Sequence, residues 1–266
     1  MQRLDSQEAR RAYNDWHKGL EVDAGGDKPW HRLVKRHLNL AQDLTGRRIL
    51  EIGCGRGGFA CWLAGSPGPP ERIVAADFSR TALEMGRGFA ERLGLNAIIR
   101  WQIADIQNLP FADDCFQTVI SCDTIEHVVN SARAVRELGR VLRPGGRLFL
   151  TTPNYLNCLG LYRAYLYLRG REFSECGQPI NQFMFRRKTC RWVRQAGLRI
   201  LATDAAGHFF PFPGRLPIEV PGLDSPRLLT KWFGLHSLTV AVKATHRDCP
   251  PRLACFWPLT SIGLFP

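Results

Sequence analysis

The sequence predicts an α/β fold built on a doubly wound, mainly parallel sheet. Three observations predict it. Short apolar runs of strand length alternate with helix-period segments between residues 45 and 155. One of those runs, Arg48-Ile49-Leu50-Glu51-Ile52, breaks into a loop with glycines at 53, 55, 57 and 58, then meets the helix-compatible Phe59–Ala64. Acidic residues, Asp77 and Asp105, stand at the ends of the next two runs. In such sheets ligands bind beyond the carboxyl ends of the strands, and Glu51, the glycine loop, Asp77, Asp105 and Ser121–Cys122 all fall there.

The elements follow in order. Residues 5–44 read as helical, since Leu33, Val34, His37, Leu38, Ala41 and Leu44 recur at helical spacing. The loop Ser66-Pro67-Gly68-Pro69-Pro70 separates the first helix after the glycines from a second strand at 72–76 that ends at Asp77. Ser79 is placed to cap a helix whose face carries Ala82, Leu83, Gly86, Phe89, Ala90 and Leu93. A third strand, 98–103, runs into Asp105, and a fourth covers 116–121. A helix from Ser131 turns inward Val135, Leu138 and Leu142; Pro144-Gly145-Gly146 turns it into a fifth strand, 147–151. A helix near 189–196, a strand at 198–202 and a last strand at 237–243 complete the pattern. The chain thus divides into an N-terminal helical cap (1–44), a main domain (45–245) with insertions at about 153–185 and 207–227, and a Pro-rich apolar tail (246–266).

Composition narrows the class. The 266 residues suffice for one sizeable domain. Nine scattered cysteines without a Cys-x-x-Cys pair read as reduced thiols in a cytoplasmic protein, not as a zinc or disulfide framework. No His/Asp cluster has metal-ligand spacing, so no metal is expected. The N-terminus is polar and lacks a signal-like apolar region, and no apolar run is long enough to span a bilayer. The formal charge of +12 favours acidic partners. It concentrates between 175 and 204, where Arg186, Arg187, Lys188, Arg191, Arg194 and Arg199 meet no acidic residue. These are a solvated helix face or a contact for an anionic surface.

Four features, Glu51-x-Gly53-Cys54-Gly55-x-Gly57, Asp77, Asp105 and Leu142-x-Pro144-Gly145-Gly146, resemble the class I S-adenosylmethionine-dependent methyltransferases. The branch they most resemble contains the ubiquinone and menaquinone biosynthesis enzymes and other small-molecule O-methyltransferases. The resemblance covers about residues 45–155 and continues in outline over 186–243. It implies a Rossmann-like methyltransferase fold of seven strands with the last antiparallel, a C-terminal lid, and S-adenosyl-L-methionine as cofactor. It also implies roles. Asp77 accepts from the ribose diol and Asp105 from the adenine amine, while Phe78, Ile106 and Leu109 flank the ring. The loop Gly53, Cys54, Gly55 and Gly57 approaches the methionine part, and Glu51 holds that loop or meets the ammonium group. Ser121 and Cys122 border the site. A nicotinamide site expects Gly-x-Gly-x-x-Gly, which Gly53-x-Gly55-x-Gly57-Gly58 does not match.

Methyl transfer to a hydroxyl needs alignment and a proton acceptor. His127 is the first candidate, or else it packs beside the sheet; His208 and Asp123 follow. No Asn/Asp-Pro-Pro-Tyr/Phe motif follows the fourth strand, where Ser121-Cys122-Asp123-Thr124 stands, and no RNA-binding module is visible. Nucleic acid is therefore not the expected partner. The aromatic stretch 155–185 and the Phe/Pro insertion suit an apolar lid over a small-molecule or lipid-linked acceptor, with peripheral membrane contact, or else a second small core. An RNA methyltransferase and a non-catalytic cofactor-binding scaffold remain the alternatives.

Overall fold

Each apolar run of the first half forms a parallel strand. In the computed structural model, which describes residues 6–23, 25–171, 177–210, 218–220, 222, 224 and 232–245, these are β1 (Arg48–Ile52), β2 (Arg72–Asp77), β3 (Ile99–Ile103), β4 (Phe116–Ser121) and β5 (Leu142–Pro153). Strands β1, β2 and β4 lie buried on both faces, which is why they read as continuous hydrophobic sequence, while β3 at the sheet edge is half-buried. With β6 (Leu198–Ala206) and β9 (His236–Lys243) they make a seven-stranded sheet in the order β3-β2-β1-β4-β5-β9-β6. Strand β9 runs antiparallel to both neighbours. The order reverses between β1 and β4, which opens a crevice at their carboxyl ends.

Side-chain alternation along β1 sends Ile49 to one face and Leu50 to the other. Leu50, Ile52, Val119, Leu138 and Leu148 build one core. Ile49, Phe59, Leu63, Ile73, Ile120 and Phe149 build the other. Helices α3 (Gly58–Ala64), α4 (Arg80–Arg92), α5 (Ser131–Val141) and α7 (Arg186–Gln195) accompany these layers. Ser79 caps α4, its side chain accepting from the Ala82 N–H at 3.2 Å. Leu93, placed on that helix's inner face by its spacing, is instead exposed just beyond the end of the helix.

The stretch predicted helical over 5–44 is broken. It forms α1 (Ser6–Lys18), α2 (Pro29–His37) and a π turn at Leu40–Leu44. Gly26 adopts φ +52° and Pro29 takes the first position of α2, where its missing N–H costs nothing. Asp204 on β6, buried, binds Arg36 and His37 at 2.9 Å each and so ties α2 to the sheet.

The fifth strand starts earlier than the Pro-Gly-Gly turn suggests. Leu142 already pairs with Phe116, and the register shifts before Thr118 pairs with Arg147. Pro144-Gly145 sits within that irregularity, with Gly145 at φ +77°. Of the 153–185 insertion, residues 153–171 with α6 (Cys158–Leu168) and the irregular run 177–185 are described. Tyr155 stacks on Phe183 at 4.9 Å beneath the Arg163 guanidinium, while Leu161, Tyr162, Tyr165, Tyr167 and Leu168 are exposed. Of the 207–227 insertion, a ribbon of β7 (Phe209–Phe210) and β8 (Ile218–Glu219) is described. The tail 246–266 lies outside the described residues.

Candidate active site

The glycine loop is drawn tight by its own backbone. The N–H groups of Gly53 and Cys54 both reach the Ala76 carbonyl, at 2.8 and 3.1 Å. Gly53 holds φ +76°, and a Cβ there would stand 2.1 Å from Thr124 Oγ1. Gly57, φ +71°, caps α3 in the left-handed region, and its Cβ would strike Trp101. The loop therefore touches the segment after β4 on one side and β3 on the other.

Two carboxylates anchor it. Asp77 accepts the Gly55 N–H on Oδ2 and the Ser79 N–H on Oδ1, each at 2.8 Å. Burial raises its pKa and these N–H groups oppose the rise. Glu51 is buried near the end of β1, and its Oε2 has no hydrogen-bond partner among the described residues. Burial first, then the Asp77 charge, pushes its pKa up to about 8. Asp105 accepts from the main chain of Gln107 at 2.8 Å and from the Gln107 amide at 3.2 Å. The Gln107 side-chain oxygen Oε1 in turn accepts the Asn130 N–H.

A cavity of about 580 Å³ joins these residues to the segment after β4. Glu51, Gly53, Cys54, Gly55 and Asp77 line it, as do Phe78, Asp105 and Ile106. So do Cys122, Asp123 and His127. Four of the residues expected at the site lie elsewhere. Gly57 shapes the loop without lining the cavity. Ser121 points into the sheet, fully buried. His208 donates from Nδ1 to Asp224 at 2.7 Å, away from the cavity. Leu109 is likewise a core residue. Burial raises the Cys54 and Cys122 thiols well above their ordinary range, so neither is a thiolate.

The cavity's second half holds groups that local sequence did not point to. His236, at the start of β9, donates from Nδ1 to Asp123 Oδ2 at 2.5 Å. Thr151 donates to the other Asp123 oxygen at 2.8 Å and accepts the Asp123 N–H at 3.0 Å. Burial raises the Asp123 carboxyl, but His236 and Thr151 outweigh it and hold the group below its usual value. His127 donates from Nδ1 to the Ile180 carbonyl at 2.7 Å, and burial lowers its pKa. His31, stacked on Phe59 at 4.5 Å, is pushed down to about 4 by burial and is neutral at physiological pH. Helix α1 roofs the space, Tyr13 donating to the His127 carbonyl and Asn14 accepting from Ser79 at 2.8 Å. Among the described residues, no group of three or more His, Cys, Asp or Glu is arranged to hold a metal ion.

Residues 50–150 match the family model described as a methyltransferase domain. Fold, site and match together define a class I S-adenosylmethionine-dependent methyltransferase domain. The chain is 38% identical over 139 residues to methyltransferase GfsG of Streptomyces halstedii, covering 51% of this chain and 48% of that protein. It is 27% identical over 228 residues to a ubiquinone biosynthesis O-methyltransferase of Coxiella burnetii, covering 82% of this chain and 92% of the relative. The chain spans about half the length of most of the curated relatives it matches. The fold is shared with a methyltransferase solved in complex with the Haloferax volcanii Trm112 activator, at TM-score 0.64 and 19% identity, covering 90% of this chain and 98% of that one.

The cofactor of this domain class is S-adenosyl-L-methionine, and the residues present fit it. It carries a sulfonium and an ammonium, and its end of the cavity offers Glu51, Asp77 and Asp105. The unpartnered Glu51 oxygen suits a cationic donor. At Gly55, where a Cβ would meet only His17 at 3.9 Å, the side-chain-free edge admits close approach of a ligand to the main chain.

Proposed function

We propose that this protein transfers a methyl group from S-adenosylmethionine to a hydroxyl oxygen of a small or lipid-linked acceptor. One observation carries the reading: a single cavity runs from the acidic, glycine-edged end at Glu51 and Asp77 to a compartment bearing Asp123, His127 and His236. When bound, the cofactor supplies an electrophilic methyl on sulfur. Asp77 keeps acceptor lone pairs for the ribose diol beside its two N–H bonds, and Glu51 receives the ammonium group. Asp105, oriented by Gln107, accepts from the adenine amine, with Phe78 and Ile106 beside the ring. The acceptor enters beneath α1, where Tyr13, Trp30 and Ile180 supply apolar walls.

Oxygen as the target is favoured by the O-methyltransferase relative that aligns over most of its length. A lipid-linked acceptor is favoured by the exposed leucines and tyrosines of α6 and by Arg187, Lys188, Arg191 and Arg194 exposed on α7. These would suit peripheral contact with an anionic membrane. Arg186 is not part of that surface, being buried 3.6 Å over the Trp232 ring. No helix among the described residues is long and apolar enough to cross a membrane.

The test is transfer of labelled methyl from S-adenosylmethionine to quinols, catechols, lipid-linked sugars and RNA. Label in a hydroxyl-bearing small or lipid-linked acceptor supports the reading. Label in RNA alone would replace it with a nucleic-acid enzyme. Cofactor binding with no transfer to any class would replace it with a scaffold.

A further inference from the structure

We infer that Arg56, steered by helix α1, receives the cofactor's carboxylate, so that the N-terminal cap takes part in cofactor recognition; the inference rests on the methyl-transfer reading above. Four observations carry it.

First, acidic residues match only part of the cofactor. Its ammonium, ribose diol and adenine amine all donate, and Glu51, Asp77 and Asp105 line the cavity to accept. Its carboxylate only accepts, and calls for donors with positive charge. The cavity is lined by one lysine, Lys28, and one arginine, Arg56. His17 and His31 do not substitute, because burial pushes both down to about 4 and leaves them neutral at physiological pH.

Second, Arg56 is fixed but not saturated. Its Nε donates to the Glu21 carbonyl at 2.6 Å, and its Nη1 donates to His17 Nδ1 at 3.0 Å. A guanidinium only donates, so His17 Nδ1 is the acceptor. Nη2 and the second N–H of Nη1 have no acceptor among the described residues. Together they form an open planar edge of the kind that holds a carboxylate by two parallel bonds. Asp23, which faces His31 at 3.6 Å, and Asp77, which holds the Gly55 and Ser79 N–H groups, attract the guanidinium from farther off.

Third, Arg56 stands where the methionine part is expected. It lies between Gly55 and Gly57 in the loop after β1, both at positive φ. A Cβ at Gly55 would meet His17 at 3.9 Å, so the glycine edge and His17 border the same corner of the cavity. Lys28, in contrast, is an exposed side chain just before α2.

Fourth, α1 is docked on the cofactor site itself. Asn14 accepts from the Ser79 hydroxyl at 2.8 Å and from the Thr81 N–H at 3.3 Å. The Arg10 guanidinium lies 4.6 Å over the Phe78 ring. Arg10, Asn14 and the buried His17 share one helix face by their spacing. That face therefore bridges the residues after Asp77 and the glycine loop.

The experiment is calorimetry of the full chain with S-adenosylhomocysteine and with methylthioadenosine, which keeps the adenosine and the thioether but lacks the amino-acid head. The wild type should bind S-adenosylhomocysteine more than about tenfold more tightly of the two. Arg56→Met should weaken S-adenosylhomocysteine more than about tenfold and leave methylthioadenosine within about twofold, since only the first carries the carboxylate. His17→Leu should weaken S-adenosylhomocysteine alone, by about threefold, and His17→Gln, whose amide oxygen can accept from Arg56, should restore it. Lys28→Met should move neither affinity by more than about twofold. Equal wild-type affinity for the two ligands, an Arg56→Met loss shared by both, or a selective loss in Lys28→Met and not in Arg56→Met would overturn the assignment. An unchanged ratio of the two affinities in His17→Leu would overturn the steering by α1. Binding of neither ligand by a folded wild-type chain would instead overturn the methyl-transfer reading. If Arg56→Met does not fold, Arg56→Gln, whose amide can still donate to the Glu21 carbonyl, is read by the same outcomes.

Discussion

The Gly55 N–H donates to Asp77 Oδ2 across 2.8 Å, joining the loop after β1 to the end of β2. A single carboxylate thus shapes the glycine loop and faces the cavity that the loop borders. Its other oxygen receives the Ser79 N–H at the start of α4. One side chain ties the glycine loop to the start of α4 and also lines the cavity, so loop geometry and ligand recognition change together when it is altered.

Gly53→Ala is expected to distort this loop without unfolding the sheet. A left-handed alanine costs about 1–3 kcal/mol, and its Cβ would overlap Thr124. Chemical denaturation should show a loss of that order. S-adenosylhomocysteine affinity should fall more than about tenfold, which corresponds to 1.4 kcal/mol. Unchanged affinity would place the ligand elsewhere.

Glu51 makes cofactor binding pH-dependent. Its pKa near 8 means the carboxyl is mostly protonated at pH 7 in the free protein. An ammonium group beside it favours the carboxylate, so binding at pH 7 should release up to about one proton, and affinity should rise with pH until about 8. Calorimetry in buffers of different ionisation heat measures the release, and Glu51→Gln should abolish it. The same group affects stability with a definite sign. A folded-state pKa above the ordinary 4.5 gives stabilisation that is complete below that value and is lost as pH rises through about 8. The ligand-free Glu51→Gln protein should therefore lose less stability than wild type over that range.

Asp43, buried, pairs at 2.6 Å with Arg147 of β5, which is half-buried. Arg147→Met leaves the carboxylate buried with the Asn39 N–H and the more distant Arg47 charge as its remaining help. A broken buried pair costs about 3–5 kcal/mol. The double variant with Asp43→Asn should recover most of the loss in a denaturant titration. An equal loss in single and double variants would show that packing, not charge, dominates there.

Local pattern sufficed where local physics decides. β1, β2 and β4 lie where their apolar runs lie, and Ser79 caps α4 as its position before Ala82 suggests. The break between α1 and α2 was missed because helical spacing over 33–44 masked the Gly25, Gly26 and Pro29 signals. At the site, Glu51, Asp77 and Asp105 were legible because a parallel sheet brings successive strand ends to one edge. His236 was not, because its bond to Asp123 spans 113 residues and no local spacing encodes it. Gln107 was hidden for the opposite reason, since a polar residue two positions after a turn aspartate looks like ordinary loop. Ser121 failed on strand parity, its side chain facing the core while that of Cys122 faces the cavity. His208, a candidate proton acceptor by its residue type, has Asp224 as its partner, 16 residues on.

Calorimetric titration of the full chain with S-adenosylmethionine and S-adenosylhomocysteine, beside Asp77→Ala, tests the central claim most directly. The account predicts micromolar binding of both ligands by the wild type and its loss in a variant whose circular dichroism shows an intact fold. Binding that survives Asp77→Ala, or no binding by a folded wild-type chain, would contradict it.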